Sequence, residues 1–175
     1  QNRGKILSWD IHPHRVKLIE ENAIRLKVSI IQAQIKDARI PDDTIANSFD
    51  KVLIDAPCSG LGVIRRKPDI KWSKEPKDIE ALKREQEYIL SVCSKYVKPG
   101  GAIVYSTCSI DPEENEKVVE DFLAKNQDFT YDDLRPYLPE ALHEGLKSPF
   151  GHITLYPHIH GTDGFFVARL KKIKA

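Results

Sequence analysis

The sequence predicts an α/β protein built on an open, mainly parallel sheet. Short apolar runs alternate with stretches of helical period, and those runs are near-continuous, as in strands buried on both faces. Reactive residues also gather just past the carboxyl ends of the runs.

"KILSWDI" reads as the first strand, and Pro13 opens a helix whose Val16, Ile19, Ala23 and Leu26 share a face. "SIIQAQI" is a second strand and "FDKVLIDAP" a third. A long helix is expected from Pro76 to Val97, with Ile79, Leu82, Ile89, Cys93 and Val97 in phase and Gln86 as the one polar break. "KPGG" (98–101) reads as its stop signal and "AIVYSTC" as a fourth strand. Asp111, Pro112 and Glu114 fall where a capping box would open a further helix, which carries Val118, Val119, Phe122 and Leu123. Residues 127–160 read as loop with one short strand, and "GFFVARLKKI" as the closing strand. No repeat, low-complexity tract or linker divides the chain, so 1–175 reads as one domain.

At 175 residues the chain can bury a sizeable core. A net charge of +1 means that any surface for a polyanion must be local. No apolar run approaches the ~20 residues that span a bilayer, and no secretory signal is visible, so no membrane partner is expected. Three cysteines are too few, and odd in number, for a disulfide scaffold; reduced thiols in a cytoplasmic setting are expected. The chain has no methionine and begins at Gln1, which suggests a piece of a longer protein.

Asp10, Asp37, Asp55, Cys58 and Cys108 all fall at or just after a strand's carboxyl end, where sheets of this kind bind ligands. If the strands leading to Cys58 in "DAPCSGLG" and Cys108 in "YSTCSI" are neighbours, their axes lie about 4.8 Å apart. Both sulfurs can then face one small ligand. A structural zinc would want four ligands at short spacing, which these cysteines and histidines do not offer, so no metal is expected. The C-x-x-C spacing of a redox pair is absent. Free cysteine is often simply buried, and Cys93, on an apolar helix face, reads that way. Around Cys58 and Cys108, however, Pro57, Ser59, Gly60, Ser106, Thr107 and Ser109 are poor core formers and suit turns shaped around a ligand.

One reaction needs thiols in this place. Carbon 5 of a pyrimidine is too weak a nucleophile to take a methyl group until a thiolate has added to carbon 6. The carbon-5 proton must then leave and the thiol be eliminated, which gives work to a second acid or base. Chemistry alone does not choose which cysteine does which.

"VLIDAPCSGLGVIRRKPDIKW", "KPGGAIVYSTCSIDPEENE" and "HGTDGFFVARL", in that order, resemble motifs of bacterial ribosomal RNA cytosine-C5 methyltransferases of the RsmB (Sun, Fmu) type. The resemblance covers nearly the whole chain. It implies a Rossmann-like fold, S-adenosylmethionine as cofactor, and methylation of a cytosine in 16S ribosomal RNA through a covalent cysteine–carbon 6 adduct. It implies Cys108 as nucleophile and Cys58 as the thiol that assists release. DNA cytosine methyltransferases resemble the scheme but use the cysteine of the "PC" block. By the same resemblance Asp55 lines the methionine end of the cofactor and the target base, Asp10 holds the ribose, and Asp37 approaches the adenine. A cap or solvated loop is the structural alternative for Asp37. The family's glycine-rich cofactor loop, the strand before it and an RNA-binding domain belong upstream of "KILSWD", so this stretch alone is expected to bind cofactor weakly.

For RNA, Arg65, Arg66, Lys67 and Lys71 follow the "PC" block as phosphate contacts, with Trp72 to stack or pack. The alternative there is a solvated charge run beside a core tryptophan. His160, Thr162 and Asp163 form a loop that either approaches the site or is a structural turn, and "RLKKIKA" reads as a strand with a basic tail. The target base must be unstacked for a thiol to reach carbon 6. The rival function is a non-catalytic RNA-binding or ribosome-assembly module that keeps the fold; retention of both cysteines argues against it.

Overall fold

The computed structural model describes residues 2–146 and 149–173. Gln1, Lys147 and Ser148 of the expected loop, and the tail residues Lys174 and Ala175 lie outside the described residues. Where the sequence reads as one domain, the structure gathers into two compact units, Gln1–Pro41 and Asp42–Ala175.

The first unit is a strand–helix–strand motif: β1 (Ile6–Asp10), α1 (Pro13–Arg25) and β2 (Ile31–Ile35). β1 and β2 pair in parallel, with Asp10 opposite Ile35. Pro13 suits the first turn of α1 because its missing N–H would have had no helical partner, and Val16 is the residue the helix buries. The Asp10 carboxylate accepts from the His12 N–H at 2.8 Å and so turns the chain from strand into helix.

The second unit contains β3 (Phe49–Asp55), α2 (Ile70–Ser73), α3 (Pro76–Ser94), β4 (Val97–Thr107) and α4 (Glu116–Lys125). It continues through β5 (Phe129–Tyr131), β6 (His152–Leu155), α5 (Pro157–His160) and β7 (Phe165–Lys172). The sheet order is β3-β4-β7-β5, and β6 also pairs with β7. β3 and β4 are parallel, as their helical crossover requires. β7 runs antiparallel to β4, β5 and β6. The α/β class and the parallel crossover pairs agree with the sequence reading. The antiparallel C-terminal strands were not visible in it, because an apolar run signals a strand but not its direction.

Four local expectations are corrected. The long helix stops at Ser94, and Val97 already belongs to β4. "KPGG" is not the end of that helix but a bulge inside β4: pairing jumps from Phe49 opposite Val97 to Lys51 opposite Ala102. Gly100 takes φ 79° in that bulge, a region open to glycine at little cost. Asp111, Pro112 and Glu114 form no capping box, since α4 begins at Glu116 with Asn115 as its cap residue and Glu114 is fully buried. A capping box exists instead on α3, between Glu75 and Asp78. Finally, residues 127–160 hold two short strands, β5 and β6, where one was expected.

The core of this unit lies where α3 and α4 pack on each other and α3 covers β3 and β4. Leu90, Ile103, Tyr105, Val118, Val119, Phe166 and Leu170 are all fully buried there or along the sheet. Tyr105 and Phe166 meet edge to face at 6.2 Å. A smaller cluster of Leu134, Leu146 and Ile153 lies under the segment before β6. No helix among the described residues is long and apolar enough to cross a membrane.

Phe166→Ala should cost about 3–5 kcal/mol of stability by urea unfolding, from lost burial and the cavity left beside Tyr105. A loss below roughly 1 kcal/mol would mean that the core around β7 collapses freely and does not hold the strand in place.

Candidate active site

The site begins with register. Parallel pairing sets Asp55 at the end of β3 opposite Ser106 near the end of β4, and Ala56 N–H continues the ladder to Ser106 carbonyl at 2.9 Å. The two chains therefore leave the same sheet edge side by side. Cys58 and Cys108 follow immediately, both half-buried, and their Sγ atoms lie 3.1 Å apart.

Backbone contacts bind the third sequence block to the first two. Gly62 N–H donates to Cys108 carbonyl at 2.9 Å, and Gly164 N–H donates to Gly62 carbonyl at 2.8 Å. The approach leaves no room for side chains. A Cβ on Gly62 would stand 2.1 Å from Gly164 carbonyl oxygen and 2.7 Å from that of Cys108. A Cβ on Gly164 would stand 2.4 Å from Ile110 Cγ2.

Beneath the thiols is a buried polar network centred on Glu114. Its Oε2 accepts from Ser59 Oγ and from Ser109 Oγ, each at 2.5 Å. Its Oε1 accepts from Ser59 N–H at 2.7 Å and from Gln86 Nε2 at 3.1 Å, while Gln86 Nε2 also donates to Pro57 carbonyl at 2.8 Å. Alongside, Thr107 Oγ1 donates to Asn115 Oδ1 at 2.5 Å, and Asn115 Nδ2 to Ser109 carbonyl at 3.0 Å.

The electrostatics distinguish the two sulfurs. The hydrogen bond from Cys58 pulls the Cys108 thiol down to about 7, against burial and the negative charges of Asp55 and Glu114. That same hydrogen bond, then burial, pushes Cys58 up, so Cys58 keeps the proton and Cys108 carries the charge. Cys93 is pushed up to about 11 by burial, which fits the core role read from its helix face.

The other sequence-predicted residues are placed as follows. Asp55 stands exposed at the end of β3, close enough for its charge to act on Cys108. Asp10 and Asp37 belong to the first unit. Besides holding His12, Asp10 lies 3.5 Å from Arg15. Both Asp37 oxygens accept from Arg39, at 2.9 and 2.7 Å, and these bonds hold its carboxyl below the usual range. Lys67, Lys71 and Trp72 are exposed; Trp72, at 83%, is not a core residue, and Lys71 Nζ lies 5.0 Å from its ring centre.

Arg65 and Arg66 are not free cations. Both pair with Asp163, at 3.8 and 2.8 Å, which ties the "PC" loop to the "HGTDG" loop. Within the latter, His160 Nδ1 accepts from Tyr156 N–H at 2.9 Å and serves its own turn. Sequence reasoning missed Glu114 as part of the site. Its one signal was Gln86, a polar break in an apolar helix face that turns out to be Glu114's partner.

The fold and site together define an α/β methyltransferase fold with two apposed thiols at the carboxyl edge of its sheet. Solved structures similar to this chain include NSun6 from Pyrococcus horikoshii with SFG, at TM-score 0.78 and 31% identity, covering 99% of this chain and 43% of that one. A methyltransferase homolog protein from Pyrococcus horikoshii matches at TM-score 0.78 and 32% identity, covering 98% of this chain and 54% of that one. A family description, 16S rRNA methyltransferase RsmB/F, matches residues 1–171, and the chain belongs to that family. A Bacillus subtilis protein named as a probable ribosomal RNA small subunit methyltransferase B is 45% identical over 174 residues. The match covers 98% of this chain and 38% of the Bacillus protein, so the chain spans well under half of that relative's length.

Alkylation of Cys108 by iodoacetamide, resolved by peptide mass, should speed up with pH through a midpoint of about 7, because the thiolate is the reacting form. Cys58→Ala removes the donor and should move that midpoint up toward the ordinary 9.0. A wild-type midpoint already near 9.0 would dispose of the hydrogen-bonded pair.

Proposed function

We propose that the chain carries the two reactive thiols of an S-adenosylmethionine-dependent methyltransferase that modifies carbon 5 of a cytosine in 16S ribosomal RNA. The observation that carries this reading is the 3.1 Å approach of Cys58 and Cys108 at the sheet edge. Family membership and the SFG of the NSun6 structure, an S-adenosylmethionine analogue, support it.

Cys108, the sulfur of the pair that ionises first, adds to carbon 6 as its thiolate, and the ring's electron pair moves to carbon 5. The cofactor supplies an electrophilic methyl sulfonium for that carbon. Carbon 5 then loses its proton, the ring double bond re-forms, and Cys108 leaves as thiolate. Cys58 would manage the proton. While Cys108 is a thiolate, Cys58 is held protonated by the hydrogen bond and by its neighbour's charge. Once Cys108 is tied up in a carbon–sulfur bond, that charge is gone and Cys58 is freer to act as a base. This supplies a physical reason for the division of labour that the family resemblance implied.

Of the residues that would hold the cofactor, Asp10 is suited to a ribose hydroxyl: its Oδ1 accepts from the His12 N–H, and its Oδ2, 3.5 Å from Arg15, keeps a lone pair for a further donor. Asp37 has both oxygens on Arg39 and would contribute the pair's polar edge more than a free charge. Asp55, next to the thiols, would face the methionine end and the target base. For RNA, Lys67, Lys71 and the exposed Trp72 offer cations and a stacking face. Arg65 and Arg66 would share their remaining N–H donors between Asp163 and phosphate. Such a reaction, on ribosomal RNA, belongs in the cytoplasm.

The roles separate in a protein of the full length of its relatives. Cys108→Ala should abolish both methyl transfer and capture of labelled RNA as a slow band on denaturing gels. Cys58→Ala should still allow addition and methylation, but the adduct should accumulate because release fails. A band that appears with Cys108→Ala and vanishes with Cys58→Ala would reverse the assignment. Unchanged turnover in both would make the two cysteines structural, whereas no methyl transfer by the parent protein would leave a non-catalytic RNA-binding or assembly module.

A further inference from the structure

Glu114 is the one fully buried carboxylate among the described residues that the proposed chemistry does not use. Its partners within hydrogen-bond reach are all neutral: two serine hydroxyls, one backbone N–H and one amide. Removing a charge from water costs several kcal/mol unless its lone pairs are filled, and here four donors fill them. An apolar side chain of similar volume would serve the core at least as well, so the carboxylate calls for another explanation.

Its partners supply one. Ser59 follows Cys58 directly, and Ser109 follows Cys108 directly. A single oxygen, Oε2, accepts from both hydroxyls, which bring the serine Oγ atoms within 3.2 Å of each other. With their protons committed to Glu114, those Oγ atoms accept from Leu61 N–H at 3.3 Å and Asp111 N–H at 3.1 Å, so the hold extends down both loops. On the other side of Cys58, Gln86 grips Pro57 carbonyl and braces Glu114. Since both Gln86 contacts are acceptors, the amide nitrogen must face them.

We infer that Glu114 is the positioning residue of the thiol pair: its buried carboxylate ties the loop of Cys58 to the loop of Cys108 and sets how the two sulfurs meet. The inference deepens the proposed reaction and rests on that reading for its catalytic consequence, but its geometric content is testable without RNA or cofactor.

The readout is the rate at which diamide links Cys58 to Cys108. Each thiol gives up a proton and an electron, a sulfur–sulfur bond forms, and the diazene is reduced to its hydrazine. Linking is followed by mass in the chain carrying Cys93→Ala, well below the melting midpoint of each variant. Glu114→Ala should slow linking on the order of a hundredfold, as expected when reacting atoms lose their alignment. It should also raise the Cys108 titration midpoint, because the Cys58 donor is no longer in place. Glu114→Gln keeps the shape and most of the hydrogen bonds and should link within about tenfold of the parent rate. It should also lower the midpoint slightly, since a negative charge that opposes the thiolate is gone.

If Glu114→Ala does not fold, the double variant Ser59→Ala/Ser109→Ala decides, because it cuts both hydroxyl ties and leaves Gln86 and the Ser59 N–H on Glu114. Parent-rate linking in a folded Glu114→Ala or double-serine variant overturns the inference. So does loss of folding in both, which would make the network a determinant of the fold alone. Slow linking beside a full-length protein that never methylates RNA would sink the proposed reaction and leave the positioning role standing.

Discussion

The parallel register between β3 and β4, with Asp55 opposite Ser106, is the constraint on which the rest of the second unit depends. In a parallel pair both chains leave by the same edge, one strand spacing apart. Cys58 is three residues past β3 and Cys108 is one past β4, so neither loop has length to wander. Antiparallel pairing of the same two strands would have put the cysteines at opposite ends of the sheet. The price of the parallel arrangement is a long crossover, and the chain fills it with α3, whose buried face covers β3 and β4. That helix also delivers Gln86 to the underside of the thiols.

A shared proton then gives the pair its asymmetry. Two negative neighbours, Asp55 and Glu114, and partial burial all oppose ionisation of Cys108, yet its thiol is drawn down to about 7. The Cys58 hydrogen bond outweighs them because it is direct and short-range, whereas the charges act from farther away through a partly solvated edge. The same proximity prevents both thiols from ionising together, so the second remains an acid until the first is consumed. Neither property belongs to either cysteine separately. Both arise from the 3.1 Å approach that the register permits.

Much of this was legible in the sequence, and the exceptions share a cause. The strands, α1, α3 and the gathering of Cys58 and Cys108 at one edge could be read because hydrophobic period and turn composition are local signals. Glu114 was misread for the same reason: an aspartate, a proline and a glutamate at that spacing have the form of a capping box, and of its real partners only Ser109 is near in sequence, while Ser59 and Gln86 are distant. "KPGG" looks like a stop, but whether proline and glycine end a helix or bulge a strand depends on the facing strand. The pairing of Arg65 and Arg66 with Asp163 crosses about a hundred residues, and nothing in a basic run announces that it is already partnered.

The three sequence blocks are long because each supplies more than a reactive residue. The first brings Cys58 together with Ser59, which reaches Glu114, and Gly62, which reaches Cys108 carbonyl. The second block brings Cys108 with Ser109 and Glu114, so it carries both a thiol and the carboxylate beneath it. The third brings no thiol at all. It contributes Gly164, which presses on Gly62 backbone, and Asp163, which holds the two arginines beside it. Since Gly62 sits between Cys108 carbonyl and Gly164, with no space for a Cβ on either glycine, a shift in any block must move the others. The chemistry is carried by two sulfurs, but their geometry is held by contacts from all three blocks.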